Sequence, residues 1–199
     1  MAFDPHAIRE QFPILARQVN GKPLVYLDSA ASAQKPRAVI EAMVGAMEGS
    51  YANVHRGLHT LANETTEAYE AARGKVAALL GAEANEIVWT KGGTEAINLV
   101  AAGVGATIQP GDEILLTEME HHANIVPWHF LRERKGAVLK FAPIFDDGRL
   151  DVAAFKALLS ERTKVAAFSH MSNVLGTINP VAELVAAARA AGARACAPS

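Results

Sequence analysis

The sequence predicts an α/β fold: an open, mostly parallel sheet covered by helices on both faces. Three observations carry that expectation. From Glu86 onward short β-branched or aliphatic runs alternate with longer helical ones, Pro110-Gly111 and Asp147-Gly148 mark turns at the junctions, and unusually polar loops follow the strands. The chain has 199 residues, 50% of them hydrophobic and 20% charged. That makeup suits one domain with a sizeable core, or one domain and part of another.

The elements follow in order. Asp4 before Pro5 is an N-cap with proline at the first helical position, which predicts a short helix over Pro5 to Gln11. Next come a turn, a short apolar strand from Leu24 to Leu27, and a small-residue loop ending at Pro36. Helical patterns run through "RAVIEAMVGAM" and "ETTEAYEAARGKVAALL". The strand candidates are "EIVWT" (86–90), "DEILLT" (112–117), "AVLKFA" (137–142) and "KVAAFS" (164–169). Helices are expected near Thr94 to Thr107, Ala123 to Lys135, Asp151 to Ser160 and Val181 to Ala191. The rhythm then calls for another strand, and "RACAPS" is a poor central one because it holds Pro198 and almost no β-branched or large aliphatic side chain.

Composition excludes several classes of function. A net charge of -2 with scattered Lys and Arg argues against nucleic-acid and acidic-membrane partners. The start "MAFDPHAIREQF" lacks the apolar run of a signal peptide, and no apolar stretch reaches the roughly 18 to 20 residues of a membrane span. A single cysteine, Cys196, fits a reducing compartment, so a cytoplasmic location is expected.

In open parallel sheets ligands bind beyond the carboxyl ends of the strands, which directs attention to "KGGTE", "EMEHHAN" and "SHMSNVLGT". Gly92-Gly93-Thr94 at a helix start suits an anion, or is a tight turn with Thr94 as N-cap. His121 and His122 are adjacent, so one metal ion is an awkward partner for both, and Glu118, Glu120 and Cys196 add no recognisable zinc set. Two readings stay open: a ring lying against an aromatic ligand while exchanging protons near neutral pH, or loop histidines bonded to backbone and water. Asn173 offers an amide to a ring oxygen or carboxylate, or forms an Asx-type turn. His55, Arg56 and His59 share a glycine-containing loop, which lines an anionic site or is simply solvated.

Taken together, "YLDSAASAQKP", "VHRGLHTLA", "GGTEAINLVA", "EMEHHANIVPW" and "SHMSNVLGTINP" resemble, between about Ala7 and Gly192, the Suf-type (group II) cysteine desulfurases. These are pyridoxal-phosphate-dependent enzymes of the class V aminotransferase family, with the large domain of fold type I, aspartate aminotransferase-like. The resemblance implies an N-terminal helical segment over 1–24, a partial large domain over 25–192 and an atypical tail over 193–199. It implies that Gly93 and Thr94 bind the cofactor phosphate and that His121 stacks on the pyridine ring and assists proton transfer. Asn173 would sit beside the ring hydroxyl and the substrate carboxylate. Ala30 and His55 would line the substrate pocket, with His55 near the interface of a homodimer.

The implied reaction takes sulfur from L-cysteine, leaving L-alanine, through a persulfide that passes to an acceptor protein of the Suf system for iron-sulfur cluster assembly. The family's pyridine-pairing aspartate falls where this chain reads "ARACAPS". Its Schiff-base lysine, persulfide cysteine and small C-terminal domain would lie past Ser199. Neither Cys196 nor Lys91 stands in for them. The expectation is therefore an N-terminal piece of a desulfurase, ended by a frameshift or early stop and inactive by itself. The alternatives are a selenocysteine lyase, kynureninase-like hydrolase or aminotransferase of the same fold, and a non-catalytic fragment that pairs with an intact subunit.

Overall fold

The computed structural model describes residues 3–198. The chain forms two compact units, Met1–Val88 and Trp89–Ser199.

The first unit is helical, apart from one small hairpin. Asp4 caps α1 (Pro5–Glu10) by accepting from the His6 and Ala7 N–H groups, and Pro5 at N1 presets the helical φ. The short strands β1 (Gln18–Val19) and β2 (Lys22–Pro23) pair antiparallel around Asn20-Gly21, both at positive φ, which is the turn chemistry a two-residue hairpin asks for. Two helices follow, α2 (Arg37–Gly49) and α3 (Thr60–Leu80). None of the residues of α2 is buried, and α3 buries Ala62 and Ala77. α3 begins four residues before its expected start because His59 accepts the Ala62 N–H and serves as N-cap.

The second unit has the expected architecture. α4 (Gly93–Gly105), α5 (Val126–Lys135), α6 (Val152–Leu158) and α7 (Val181–Ala190) alternate with β3 (Glu113–Thr117), β4 (Val138–Ala142), β5 (Thr163–Ala167) and β6 (Arg194–Cys196). All the strands are parallel, in the order β4-β3-β5-β6. Their side chains alternate between faces, so two cores form. Ile114 and Leu116 of β3 and Val165 of β5 pack with Ile97, Val104, Trp128 and Leu131 from α4 and α5. Leu115, Ala166, Phe168 and Phe155 pack on the other face with Leu184 and Ala188 from α7. Gly136 ends α5 in the left-handed conformation at φ 71°, and its carbonyl accepts the Gly111 N–H at 2.8 Å, tying the turn before β3 to the turn before β4.

Three expectations need correction. "EIVWT" forms no strand: Glu86 ends a 3-10 turn, and 87–90 have no ladder partner among the described residues. Leu24 to Leu27 likewise form none, and Leu27 is 91% exposed. "RACAPS", in contrast, does supply a strand. Arg194–Cys196 pairs with Val165–Ala167 at the edge of the sheet, where weak β-formers are tolerated better than in the centre.

Among the described residues no helix is long and apolar enough to cross a membrane.

Candidate functional site

In the second unit the loops after β3 and β5 are tied together through Glu120 and Ser169, and the 3-10 turn after β3 packs on α4. Gly92 is the N-cap of α4 but lends no side-chain acceptor, and the N–H groups of Gly93 and Thr94 have no partner among the described residues. Thr94 is therefore not the cap that the tight-turn reading made it. Instead Glu95 folds back to accept the Lys91 N–H at 2.5 Å, and Thr90 donates its hydroxyl to the Gly92 carbonyl at 3.2 Å. These bonds hold the loop while leaving the first N–H groups of a 13-residue helix open to solvent, an arrangement whose chemistry suits an anion. Added Cβ atoms at Gly92 and Gly93 meet nothing within 4 Å, so the cradle is open.

β3 ends at Thr117, and the loop that follows carries His121. The exposed His121 ring is oriented by one bond: Nδ1 accepts the Ala123 N–H at 3.1 Å. An Nδ1 that accepts carries no proton, so the neutral ring has its hydrogen on Nε2. The His121 carbonyl also accepts the Asn124 N–H at 2.7 Å and starts a 3-10 turn, His122–Asn124, that packs on α4. Backbone bonding and an outward-facing ring thus coexist at His121, and the two readings of the sequence are not exclusive. His122 lies edge-on to it, with ring centroids 6.2 Å apart.

Beneath His121 lies a polar cluster that sequence reading missed. Glu120 is 8% exposed. Its Oε1 accepts the Thr117 hydroxyl at 2.5 Å and the Ser169 N–H at 2.9 Å. Its Oε2 accepts the Asn124 amide at 2.7 Å and the Ser169 hydroxyl at 2.7 Å. Asn124 passes the network on by accepting the indole N–H of the fully buried Trp128 at 3.1 Å. The available signal was the spacing Glu120, Asn124, Trp128, four residues apart each time, which lines one side of a helical turn.

In the third loop, Ser172 rather than Asn173 closes the turn, accepting the Val174 and Leu175 N–H groups at 3.4 and 3.1 Å. The Asx-type turn is thereby corrected, and the Asn173 side chain is exposed. Asn179 is buried behind it, donating to the Ser169 carbonyl at 2.7 Å.

Ala30 and His55 belong to the first unit. Ala30 sits in a turn in which the Ala31 and Ser32 N–H groups bond to the Asp28 carbonyl. His55 adopts φ 63°, sparsely populated for a side chain of its size, and is held there by Thr66, Glu70 and Tyr69. Its N–H donates to Thr66 Oγ1 at 3.0 Å, and its Nε2 lies 3.0 Å from Glu70 Oε1. An open cleft of about 960 Å³ adjoins it, lined by residues such as Tyr51, Arg56, Leu58 and His59.

The family model described as aminotransferase class-V matches residues 25–197. The chain belongs to the aminotransferase class-V family. A cysteine desulfurase of Pectobacterium atrosepticum is 54% identical over 195 residues, 97% of this chain and 48% of that protein. Among solved structures, an apo cysteine desulfurase from Thermococcus onnurineus superposes with a TM-score of 0.91 at 36% identity, covering 99% of this chain and 48% of that one. The Escherichia coli cysteine desulfurase CsdA, solved as the S-sulfonic acid, gives 0.84 at 42% identity, with 99% and 49% covered. This class-V chain thus spans about half the length of the relatives it matches. Cysteine desulfurases of the family depend on pyridoxal phosphate.

Proposed function

We propose that the protein is a Suf-type cysteine desulfurase whose pyridoxal phosphate site takes its phosphate end and one ring face from this chain. One observation supports the reading: α4 has an uncapped N-terminus, and the turn after β3 that packs on α4 starts at an oriented imidazole, in a chain 54% identical to a cysteine desulfurase. The donor set fits the group. Gly93 and Thr94 would give two backbone N–H groups and a hydroxyl to the phosphate. His121 would lie against the ring, and with Nδ1 engaged by Ala123 its Nε2 is the atom left to carry a proton. Asn173 would offer its exposed amide to the ring hydroxyl and the substrate carboxylate.

When bound, the cofactor supplies an electron sink for charge that develops on the substrate carbon. The substrate is L-cysteine, the product L-alanine, and the sulfur goes to an acceptor protein for iron-sulfur cluster assembly. In the whole enzyme, a homodimer, Ala30 and His55 would line the substrate pocket. On this reading the 199-residue chain by itself would hold the cofactor through non-covalent contacts and would not desulfurate cysteine.

The test is a titration of the purified chain with pyridoxal phosphate, followed by phosphorus NMR, alongside a sulfide assay with cysteine. Reversible binding without sulfide is expected. A folded chain that does not bind the cofactor refutes the site, and robust sulfide release refutes the inactivity.

A further inference from the structure

We propose that Glu120 is a positioning residue of this site: its buried carboxylate locks the β3 and β5 loops together and thereby fixes the ring of His121. The significance for cofactor binding rests on the role proposed for His121, whereas the lock itself does not.

The lock follows from donor counting. A carboxylate is acceptor-only, and all four of its partners here are donors. Two of them have no other option. The Ser169 N–H can only donate, and Asn124 must present its NH₂ to Glu120 because its oxygen accepts the Trp128 N–H. These two obligate donors address different oxygens of Glu120. A glutamine in either orientation would aim its own NH₂ at one of them, so the site specifies a carboxyl group rather than an amide. No cation pairs with it among the described residues, and the four donors alone satisfy it.

The geometry carries this to His121. Glu120 and Asn124 close a ring around the intervening residues, because the Asn124 side chain bonds to Glu120 while its N–H bonds to the His121 carbonyl. His121 sits within that ring, its Nδ1 aimed at the Ala123 N–H. Ser169 ties the same ring to the end of β5 with two bonds. A carboxyl group next in sequence to His121 thus determines where the imidazole points, without touching whatever the imidazole touches.

The experiment uses the 199-residue chain, labelled with nitrogen-15, near about pH 8, where an ordinary imidazole is neutral. Long-range spectra report the tautomer of the His121 ring, whose signal is assigned by its loss in H121Q. The wild-type ring should be a single Nε2–H tautomer. In Glu120→Gln, with far-UV circular dichroism unchanged, it should become a mixture. The Ala123 and Asn124 amides should exchange at least about 10-fold faster, the factor that losing one charge-assisted hydrogen bond corresponds to. A wild-type ring already mixed, or an E120Q ring unchanged, overturns the proposal. Should E120Q fail to fold, Ser169→Ala removes one donor and keeps its N–H. It should shift the ring the same way by less, and no shift overturns the proposal equally. Pyridoxal phosphate is titrated in parallel. If the wild type fails to bind it while the ring behaves as expected, the proposed function falls and the lock stands.

Discussion

The two ends of the parallel sheet each carry a partly or wholly buried glutamate that staples neighbouring strands, and the two are satisfied differently. At the amino end, Glu113 opens β3 and accepts from Lys140 of β4 at 2.7 Å, from Ser160 at 2.5 Å and from Thr163 of β5 at 3.3 Å. At the carboxyl end, Glu120 accepts from four neutral donors and, among the described residues, no cation. The first staple is neutral as a whole and closes the sheet. The second is met by neutral groups alone among the described residues, under the loops that carry His121 and Asn173. This second staple lies at the end of the strands where the cofactor site is proposed.

The largest expected effect lies at the carboxyl end. Glu120→Ala leaves the Ser169 N–H and the Asn124 amide unsatisfied, and it should cost about 3 kcal/mol in urea unfolding. A cost as small as that of a surface substitution would erase the contrast between the two ends.

Glu113→Gln should cost less, about 1 kcal/mol, because the hydroxyl donors can turn and Lys140 can reach solvent. Its pH dependence is the sharper test. Partial burial pushes the Glu113 carboxyl up, but hydrogen bonds from Lys140 and Ser160 and the Lys140 charge outweigh it, holding the group below its ordinary value of 4.5. A lowered folded-state value means that stability is fully present above 4.5 and is lost as pH falls through the folded value. The stability difference between wild type and E113Q should therefore be constant above that point and shrink below it. A difference that grows on acidification would contradict the staple.

Smallest of all should be Thr94→Ala, under about 0.5 kcal/mol, since the side chain is exposed and makes no bond among the described residues. Its effect belongs to binding: the titration with pyridoxal phosphate should weaken while the urea midpoint stays put. A shifted midpoint with unchanged binding would make Thr94 part of the scaffold.

Much of the second unit was legible because each buried strand announces itself. "DEILLT", "AVLKFA" and "KVAAFS" became β3, β4 and β5 within one or two residues, "EMEHHAN" follows β3 as expected, and "GGTE" opens α4 as expected but follows no strand. The failures share a cause. "EIVWT" and Leu24 to Leu27 have strand composition, but a strand also needs a neighbour, and composition does not say whether one exists. "RACAPS" errs the other way, because the register offered by the open edge of β5 admits three residues of low propensity. The Glu120 cluster stayed hidden because Ser169 lies 49 residues from it in sequence.

Cys196 lies on the edge strand β6, half-buried, where burial and then the charge of Glu120 push its thiol up from its ordinary value. A thiol kept protonated reacts slowly with alkylating reagents, and its reaction should speed up when the strand comes away from Val165–Ala167. With no second thiol in the sequence, the rate at which the chain gains one alkyl group is a clock for the fraying of that edge, built in without a label.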